Sequence, residues 1–346
     1  MFSSKTVFIV GAGGSFEVGL PVGDTLKGII ASKLDMREGG SWDEFGDRHL
    51  IQALVDKARG GSYGANMRRF SQAAQSLKNA MPQAISIDNY LHTHSNDADI
   101  VMLGKMGIAA SILEAEFDSQ IKKNSHGYDI DFLNLPDSWH NTFCKMLTEN
   151  VKRDGLDNLF ENVTFITFNY DRCIEHYLVM WLKSYMRISY EEACELCKRL
   201  TIFHPYGQVG KLPWQAEDGV GVPFGAPLDQ YNIANTASQI RTFTERVDDD
   251  PILNPMRRVI QGASRLVYLG FSFGLMNMEL MQMDTPGTYK TVMATTLGMS
   301  ESNKQEISQR LKRSFTVKDK ETSSHIDLLN ISANQLLKDY WYTLST

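Results

Sequence analysis

A short apolar run near the start of the chain leads directly into a glycine-rich turn. Residues 6–10 read TVFIV, and β-branched and aromatic side chains in such a run are typical of a buried parallel strand. Residues 11–15 read GAGGS, and helix-forming sequence follows them. Glycines here let the backbone approach a diphosphate without Cβ clashes, and N–H groups of the following helix face the negative charge. The stretch therefore predicts a phosphate-binding strand, loop and helix.

Two features of this stretch disfavour a plain Rossmann dehydrogenase. Phe16 stands where the usual dinucleotide-binding fingerprint has its third glycine. The sequence after the loop stays helical through Leu34, so no second strand follows with an acidic residue for the ribose.

Composition narrows the class of protein further. The chain has 346 residues, 42% of them hydrophobic, which is enough for one large α/β domain or two smaller ones. Its net charge of −6 argues against nucleic acid as the main ligand, and its four unevenly spaced cysteines indicate a reducing compartment. No apolar run approaches the roughly 20 residues that span a bilayer, and the first residues lack a signal-peptide pattern. We therefore expect a soluble, cytoplasmic protein.

The middle of the sequence has helix-type spacing and no convincing strand. We therefore predict a helical subdomain at residues 35–159, inserted into a nucleotide-binding domain that is formed by residues 1–34 and 160–346. The predicted helices of the insertion cover residues 50–59, 65–81, 86–94, 98–123 and 137–153.

Strand patterns return after the insertion. They lie at residues 163–167, 201–203, 265–269 and 291–295, separated by helical sequence. This rhythm is typical of a Rossmann-like open parallel sheet with helices on both faces, an α/β fold in three layers. Such sheets bind ligands at the carboxyl ends of their strands. The Gly- and Pro-rich stretch 208–231 predicts a long irregular loop, a feature that is more often functional or mobile than incidental.

Four motifs follow the predicted strands in order. They are GAGGS at 11–15, TFNYD at 167–171, HPYG at 204–207 and GFSFG at 270–274. With the Gly-Leu-Pro turn at 19–21, they resemble the NAD-binding regions of the sirtuin superfamily. Their order resembles the sirtuin-like NAD-hydrolase domain of bacterial antiphage defence proteins, in which SIDNYL at 86–91 also resembles a recurrent helix. The resemblance implies that NAD⁺ is the substrate.

The same resemblance implies catalytic roles for the motif after the second strand. Asn169 would contact the nicotinamide ribose and place the nucleophile, while Asp171 would anchor the loop or contact ribose. Cleavage of the bond between nicotinamide and ribose produces an oxocarbenium-like centre, so the site must hold the ribose and position water. The residues leave an alternative open, because Asn and Asp are also favoured as caps of the helix predicted to begin near Arg172.

His204 is the predicted general base, because imidazole titrates near neutrality and can accept a proton from a hydroxyl or a water. Sirtuin-like motifs place histidine immediately before the glycine, and Tyr206 occupies that position here. Two residues apart on an extended strand, both side chains are expected to point the same way. Either His204 has taken the catalytic role, or Tyr206 contacts the ribose and His204 supports it.

The resemblance also assigns residues to the rest of the substrate. The glycine loop would hold the diphosphate, and the 270–272 segment would shape the adenosine side. Asn277 either belongs to that side or is polar surface. The binding set implied by the motifs is Gly11, Ala12, Gly13, Ser15, Gly19, Pro21, Thr167, Tyr206, Gly270, Phe271, Ser272 and Asn277.

Two departures from the family disfavour protein deacylation. Deacylases carry a zinc module with two Cys-x-x-Cys pairs, whereas this chain has one such pair, Cys194 and Cys197, on a predicted helix. The Asp-Phe-Arg that follows the proline turn of deacylases is replaced by Val-Gly-Asp at 22–24. We therefore expect no metal.

The expected function is hydrolysis of NAD⁺ to nicotinamide and ADP-ribose. Because constant NAD⁺ destruction would harm the host, the resemblance implies an effector of antiphage defence that is held off until triggered, as a homo-oligomer or with a companion sensor protein. Transfer or cyclisation of ADP-ribose remains open. So does a non-catalytic sensor of NAD⁺ or a derived nucleotide, which Tyr206 in the histidine position favours.

Overall fold

The computed structural model describes residues 2–36, 46–122, 130–135, 137–217, 219–245, 251–282, 289–315 and 324–345. Six strands of these residues form one parallel sheet. They are β1 (Thr6–Val10), β2 (Val163–Thr167), β3 (Thr201–Phe203), β4 (Arg265–Leu269), β5 (Thr291–Thr295) and β6 (His325–Leu329). In space their order is β3-β2-β1-β4-β5-β6, so the winding reverses between β1 and β4. A reversal of this kind opens a crevice at the carboxyl ends of the strands.

α-Helices connect these strands. Those of the described residues are α1 (Ala12–Phe16), α2 (Gly23–Lys33), α3 (Arg48–Ala58), α4 (Tyr63–Ala80), α5 (Ile87–Thr93), α6 (Ala98–Asp118), α7 (Trp139–Thr148), α8 (Cys173–Met186), α9 (Tyr190–Cys197), α10 (Gln230–Ala237), α11 (Leu253–Gly262), α12 (Leu275–Leu280), α13 (Glu301–Phe315), α14 (Ala333–Asp339) and α15 (Trp341–Ser345).

The central strand β1 is buried on both faces, as its unbroken apolar sequence predicts. Val7 and Ile9 enter one core, which they share with α2 to α6, α10 and α11. Phe8 and Val10 enter the other core, with α7, α8, α9 and α14. Alternate side chains of one strand thus hold a helical layer on each face. The predicted three-layer α/β fold is confirmed.

Small residues let α6 lie close to its neighbours on the first face. A Cβ atom on Gly107 would stand 2.9 Å from Cγ2 of Ile30 in α2, and one on Gly104 would stand 2.4 Å from Cδ2 of Leu91 in α5. These helices therefore share the core of the sheet. The division of the chain into an inserted subdomain at 35–159 and a nucleotide-binding domain stays a prediction.

Three elements differ from the sequence-based prediction. The strand patterns omit β6, a partly exposed edge strand without the apolar run of a buried parallel strand. The helix predicted over 98–123 ends at Asp118, because Ser119 is extended and its hydroxyl donates to the Val18 carbonyl at 2.6 Å; residue 123 lies outside the described residues. Of the helix predicted over 137–153, only α7 forms as an α-helix. Asn150, with a φ of +60°, separates α7 from the 3-10 helix Arg153–Asn158.

Candidate functional site

The loops after β1 and β4 touch at the reversal of the sheet. The Gly13 N–H donates to the Gly270 carbonyl at 3.0 Å, and the Gly14 N–H donates to the Gly11 carbonyl at 2.8 Å. Gly270 has a φ of +59°, and a Cβ atom there would stand 2.0 Å from the Gly14 nitrogen. Only glycine fits such a contact. Two of the N–H groups expected to face a diphosphate are therefore bonded within the protein.

The turn after the glycine loop is anchored by Glu17. One carboxylate oxygen accepts the Trp139 N–H at 2.7 Å, and the other accepts the Asn334 N–H at 3.0 Å. Glu17 thereby joins the end of α1 to the N-termini of α7 and α14, and the helix dipole favours a carboxylate at those two N-termini. The exposed Gly19 follows with a φ of +94°, and Pro21 is half-buried.

Asn169 and Ser15, both predicted site residues, are brought together at the ends of β2 and β1. The amide nitrogen of Asn169 donates to Ser15 Oγ at 2.8 Å and to the Gly11 carbonyl at 3.1 Å. The Asn169 N–H in turn donates to Thr167 Oγ1 at 3.2 Å. Asn169, Ser15 and Thr167 are buried. These contacts fix the loop after β2 against the glycine loop, although neither Ala12 nor the ring of Phe16 takes part in them.

Asp171 joins this cluster through a hydrogen bond with Ser15. Its carboxylate accepts the Cys173 N–H at 3.1 Å and a hydrogen bond from the Ser15 hydroxyl. Burial raises the pKa of Asp171 above its ordinary value, although both hydrogen bonds oppose that rise. Asp171 therefore ties the loop to the first residue of α8, next to the N-cap residue Arg172.

His204 and Tyr206 follow β3 but point to opposite faces of the sheet. His204 Nε2 lies 2.7 Å from Oε1 of Glu175, in α8. The Tyr206 hydroxyl donates to Oδ1 of Asn277 at 2.9 Å, on the side of the first core. The prediction that both side chains point the same way is wrong, because β3 ends at Phe203 and both residues lie in a turn.

The pair formed by His204 and Glu175 is almost fully enclosed, with 10% and 1% of the side chains exposed. Burial lowers the pKa of His204, but the charges of Glu175 and Asp171 raise it more, so its pKa lies above the ordinary value. His204 Nδ1 and Glu175 Oε2 are buried and form no hydrogen bond of ordinary geometry among the described residues, although the backbone carbonyl of Asn169 lies close enough to His204 to raise its pKa further. Because Glu175 accepts from Nε2, neutral His204 carries its lone pair on Nδ1.

Helix α5, which contains most of the SIDNYL motif at 86–91, lies at the carboxyl end of the sheet. The Tyr170 hydroxyl donates to the Asp88 carboxylate, and the Asn89 amide lies 3.8 Å from the Met276 sulfur, at the start of α12. Tyr170 also stands 6.3 Å from the Tyr206 ring. Helix α5 therefore contacts the loop after β2 and the start of α12, which follows β4.

The segment after β4 divides between core and surface. Phe271 is buried, with its ring centroid 5.2 Å from that of Phe168 and 5.2 Å from that of Phe273. Ser272 is exposed. In the 270–272 segment, which was predicted to shape the adenosine side, the Ser272 side chain therefore faces solvent and the Phe271 side chain packs in the protein interior.

Sequence reasoning missed Glu175 and a second buried acid, Glu116. The Glu116 carboxylate, in α6, accepts the Arg172 N–H at 3.0 Å and the Arg172 Nε at 3.1 Å. Arg172 also donates to the carbonyls of Val222 and Pro223. For Glu175 the available signal was its position as the one acid of α8, since such a residue is buried only with a partner. Glu116 had no such signal, because Glu114 and Asp118 stand beside it in α6.

The irregular 208–231 stretch is packed onto this cluster. Besides the bond from Arg172 to Val222, the ring of Phe224 stacks on His176 of α8, with 4.2 Å between centroids. Contacts with a buried cation and a buried ring thus hold the described part of the stretch.

A cavity of about 710 Å³ lies beside β3. His204 and Glu175 line it, whereas Asn169 and Ser15 lie outside its lining. Its volume falls in the range of small-molecule sites. The predicted base therefore lies between the polar cluster at the ends of β1 and β2 and a cavity on the outer side of the sheet.

Among the described residues, no group of His, Cys, Asp and Glu side chains has the arrangement of a metal site. Cys194 and Cys197 are buried thiols, and burial raises the pKa of Cys197 well above its ordinary value. A raised pKa opposes the thiolate form that binds zinc. Over the described ranges, every helix is too short or too polar to span a bilayer.

Two solved structures are similar to this chain. A Sir2 homologue in complex with NAD is 12% identical, with a TM-score of 0.40 over 99% of this chain and 90% of that chain. A Sir2 homologue mutant in complex with 2′-O-acetyl ADP ribose is 12% identical, with a TM-score of 0.38 over 99% of this chain and 92% of that chain. No protein-family model matches the sequence, and no curated protein matches it significantly. Because both TM-scores lie below 0.5, the function proposed below rests on the site itself and on the sequence motifs.

Proposed function

We propose that the protein is an NAD⁺ hydrolase that cleaves NAD⁺ to nicotinamide and ADP-ribose. The observation that supports this most strongly is the position of His204. His204 follows β3 at the carboxyl edge of the sheet and is bonded to the buried Glu175. The charge of Asp171, which belongs to the cluster of Asn169 and Ser15, raises the pKa of His204. The ends of β2 and β3 thus supply the positioned amide of Asn169 and the imidazole of His204, whose tautomer is set by Glu175.

The proposed reaction breaks the bond between ribose C1′ and the nicotinamide nitrogen and adds water at C1′. Nicotinamide leaves with the bonding electron pair, the water oxygen bonds to C1′, and one proton is released. Asn169 would orient the ribose and the water through its side-chain oxygen, since its amide hydrogens go to Ser15 and Gly11. His204 would accept the proton at Nδ1, with Glu175 holding the opposite nitrogen.

The buried state of Nδ1 also supports control by a trigger. Nδ1 is buried here, and the Gly13 and Gly14 N–H groups are bonded within the protein. Substrate must therefore displace some of these contacts. We propose that the enzyme acts in the cytoplasm as an effector of antiphage defence, and that oligomerisation or a companion sensor protein favours the open form.

The second candidate is a sensor that binds NAD⁺ or a derived nucleotide without turnover. Tyr206 stands in the histidine position of the family, and its hydroxyl is bonded to Asn277. A site in which Tyr206 binds ribose and His204 only supports the turn would bind and release the dinucleotide intact. Transfer or cyclisation of ADP-ribose would use the same Asn169 and His204, and product identity separates it from hydrolysis.

Site variants test the proposal directly. NAD⁺ loss is followed by chromatography with purified wild type, Asn169→Ala and His204→Ala, alone and with genomic-neighbour proteins. We expect at least a hundredfold loss of turnover in both variants, because general bases contribute about 10²–10⁴-fold. The exposed His325, paired with Asp327, provides the matched control His325→Ala, which should keep full activity. Full activity in folded His204→Ala would contradict the assignment of the base.

A further inference from the structure

A second cavity, of about 770 Å³, lies between α3, α6 and α10. His204, Glu175, Asn169 and Ser15 all lie outside its lining, so it is separate from the candidate site described above. Its volume falls in the range of sites that bind small molecules, about 300–1,000 Å³. The chemistry of its lining indicates which class of molecule fits.

The inner surface of this cavity is apolar. Most residues of α6 over positions 100–113 are apolar, and a helix of this kind is normally covered on all sides. At the cavity, however, Val101 and Met102 are only half-buried, whereas Met106, one turn further along, is buried. The space is left by small side chains of the three helices, namely Ala53, Ala98, Ala234 and Ala237. Apolar surface is thus left open to water, and an apolar ligand would cover it.

The charged groups of the lining leave no net charge in the cavity. Among the described residues of the lining, Lys57 and Lys105 are balanced by Asp56 and Glu245. Lys105 Nζ lies 2.5 Å from Oε1 of Glu245, so these two charges neutralise each other. Asp56 accepts from the Arg59 guanidinium at 3.2 Å, and Lys57 is exposed to solvent. An ionic ligand would lose hydration here without gaining a buried counter-charge, so the lining favours a neutral molecule.

Other side chains favour an aromatic ligand with one polar edge. Met102 and Met106 lie on the same face of α6, and thioether sulfur makes favourable contacts with aromatic rings. Tyr231, in the first turn of α10, lines the cavity and is 70% exposed, so a flat ligand would bury part of its ring. Asn96 and Gln230 add uncharged amides, which can pair with an amide or a hydroxyl of the ligand.

One wall of the cavity is continuous with the turn after β3. Thr242 and Glu245 line the cavity, and Glu245 Oε2 accepts the Thr242 N–H at 2.7 Å. The preceding Arg241 N–H donates to the Tyr206 carbonyl at 3.0 Å. A molecule in the cavity therefore contacts a segment that is tied to the turn after β3, although it lies apart from the residues of the proposed reaction.

From these observations we propose that the cavity binds a neutral aromatic small molecule, with its ring against Met102 and Tyr231 and its polar edge at Asn96 or Gln230. NAD⁺ and ADP-ribose fall outside this class of ligand, because their diphosphate would bring charge into a lining whose buried lysine is already paired. The site is therefore distinct from the one proposed for NAD⁺ and does not depend on it.

Fluorescence titration with two dyes that share the same rings tests the proposal. N-phenylnaphthylamine is neutral and aromatic and carries one N–H donor, whereas anilinonaphthalene sulfonate adds an anionic group. With each dye excited directly, wild-type protein is expected to bind the neutral dye saturably. It is expected to bind the sulfonate more weakly, by about tenfold or more, because the sulfonate loses hydration without finding a buried counter-charge.

Two variants locate the bound dye. Ala234→Trp fills the cavity from an exposed position of α10 and is expected to weaken binding of the neutral dye about tenfold or more. Met102→Ala removes a half-buried contact surface and is expected to weaken binding about fivefold. Ala65→Trp, at an exposed position of α4 outside the lining, is the matched control for the added indole and should bind as wild type does. Circular dichroism checks that each variant is folded.

Both dyes are titrated without NAD⁺, so the outcome is independent of whether NAD⁺ is hydrolysed. Saturable binding that both cavity variants weaken and that Ala65→Trp leaves unchanged supports the site. The absence of saturable binding of the neutral dye to wild type would overturn it, as would unchanged affinity in folded Ala234→Trp. Equal or tighter binding of the sulfonate would overturn the assignment of a neutral ligand.

Discussion

Removal of the Arg172 side chain is expected to destabilise the protein far more than the loss of an ordinary ion pair. Arg172 and Glu116 are both 0% exposed, so Arg172→Met leaves a carboxylate in the interior without its counter-charge. Breaking a buried pair on one side costs about 3–5 kcal/mol of unfolding free energy. The Val222 carbonyl loses its donor as well, which adds about 1 kcal/mol.

A second substitution separates the charge from the packing. Glu116→Gln removes the uncompensated charge. The side-chain oxygen of the glutamine can still accept the backbone N–H of residue 172, which lies 3.0 Å from the Glu116 carboxylate in the wild type. We expect Glu116→Gln combined with Arg172→Met to recover at least half of the loss. Arg59→Met is the matched control, because Arg59 is 67% exposed and its partner Asp56 is 40% exposed. Exposed pairs contribute less than about 1 kcal/mol.

Urea unfolding, followed by circular dichroism, measures these differences from the midpoint and the slope. A loss below about 1 kcal/mol in Arg172→Met would refute the reasoning. So would a double variant no more stable than the single one, since the loss would then come from packing and not from the uncompensated carboxylate.

Three other predictions follow from individual side chains. Glu175→Gln removes a charge that raises the pKa of His204. Activity rises with pH as His204 loses its proton, so this rise should move to lower pH in the variant. An unchanged pH profile would show that Glu175 does not set the pKa of the catalytic base. Burial lowers the pKa of His140 to about 3, so the unfolded state takes up its proton first as the pH falls below 6.5. Stability should therefore drop by about 2 kcal/mol between pH 7 and pH 5, and His140→Leu, compared by urea unfolding at both pH values, should lack that drop. Gly270→Ala should cost more than about 2 kcal/mol, because a φ of +59° and the adjacent glycine loop exclude a Cβ atom, whereas Gly28→Ala, with open space around it, should gain about 0.5–1 kcal/mol in the same assay.

The sheet could be predicted from sequence wherever strands are buried on both faces. The runs that became β1, β2, β4 and β5 consist mainly of apolar and β-branched residues, and glycine directly follows β1 and β4. The edge strand β6 carries His325 and Asp327 and is partly exposed, so local sequence lacks the signal.

The site was predictable where it depends on backbone loops at strand ends. Asn169, Ser15 and Asp171 meet because the carboxyl ends of neighbouring parallel strands lie at one edge. The roles of these residues in binding and catalysis stay predictions. The partners Glu175 and Glu116 come from helices, and their contacts depend on how α8 and α6 pack against the sheet, which no local pattern specifies.

The orientation of His204 and Tyr206 shows the same limit. Period-two reasoning applies only inside a strand, and β3 ends one residue before His204. A turn then sends the imidazole to Glu175 and the phenol to Asn277.

The central claim is the reaction itself, and product identity tests it most directly. Wild-type protein at micromolar concentration is incubated with NAD⁺, alone and with genomic-neighbour proteins, and the products are separated by chromatography. The proposal predicts nicotinamide and linear ADP-ribose in equal amounts. Intact NAD⁺ in every mixture, together with measurable NAD⁺ binding, would contradict hydrolysis and identify a sensor, while cyclic ADP-ribose or a modified acceptor would identify cyclisation or transfer.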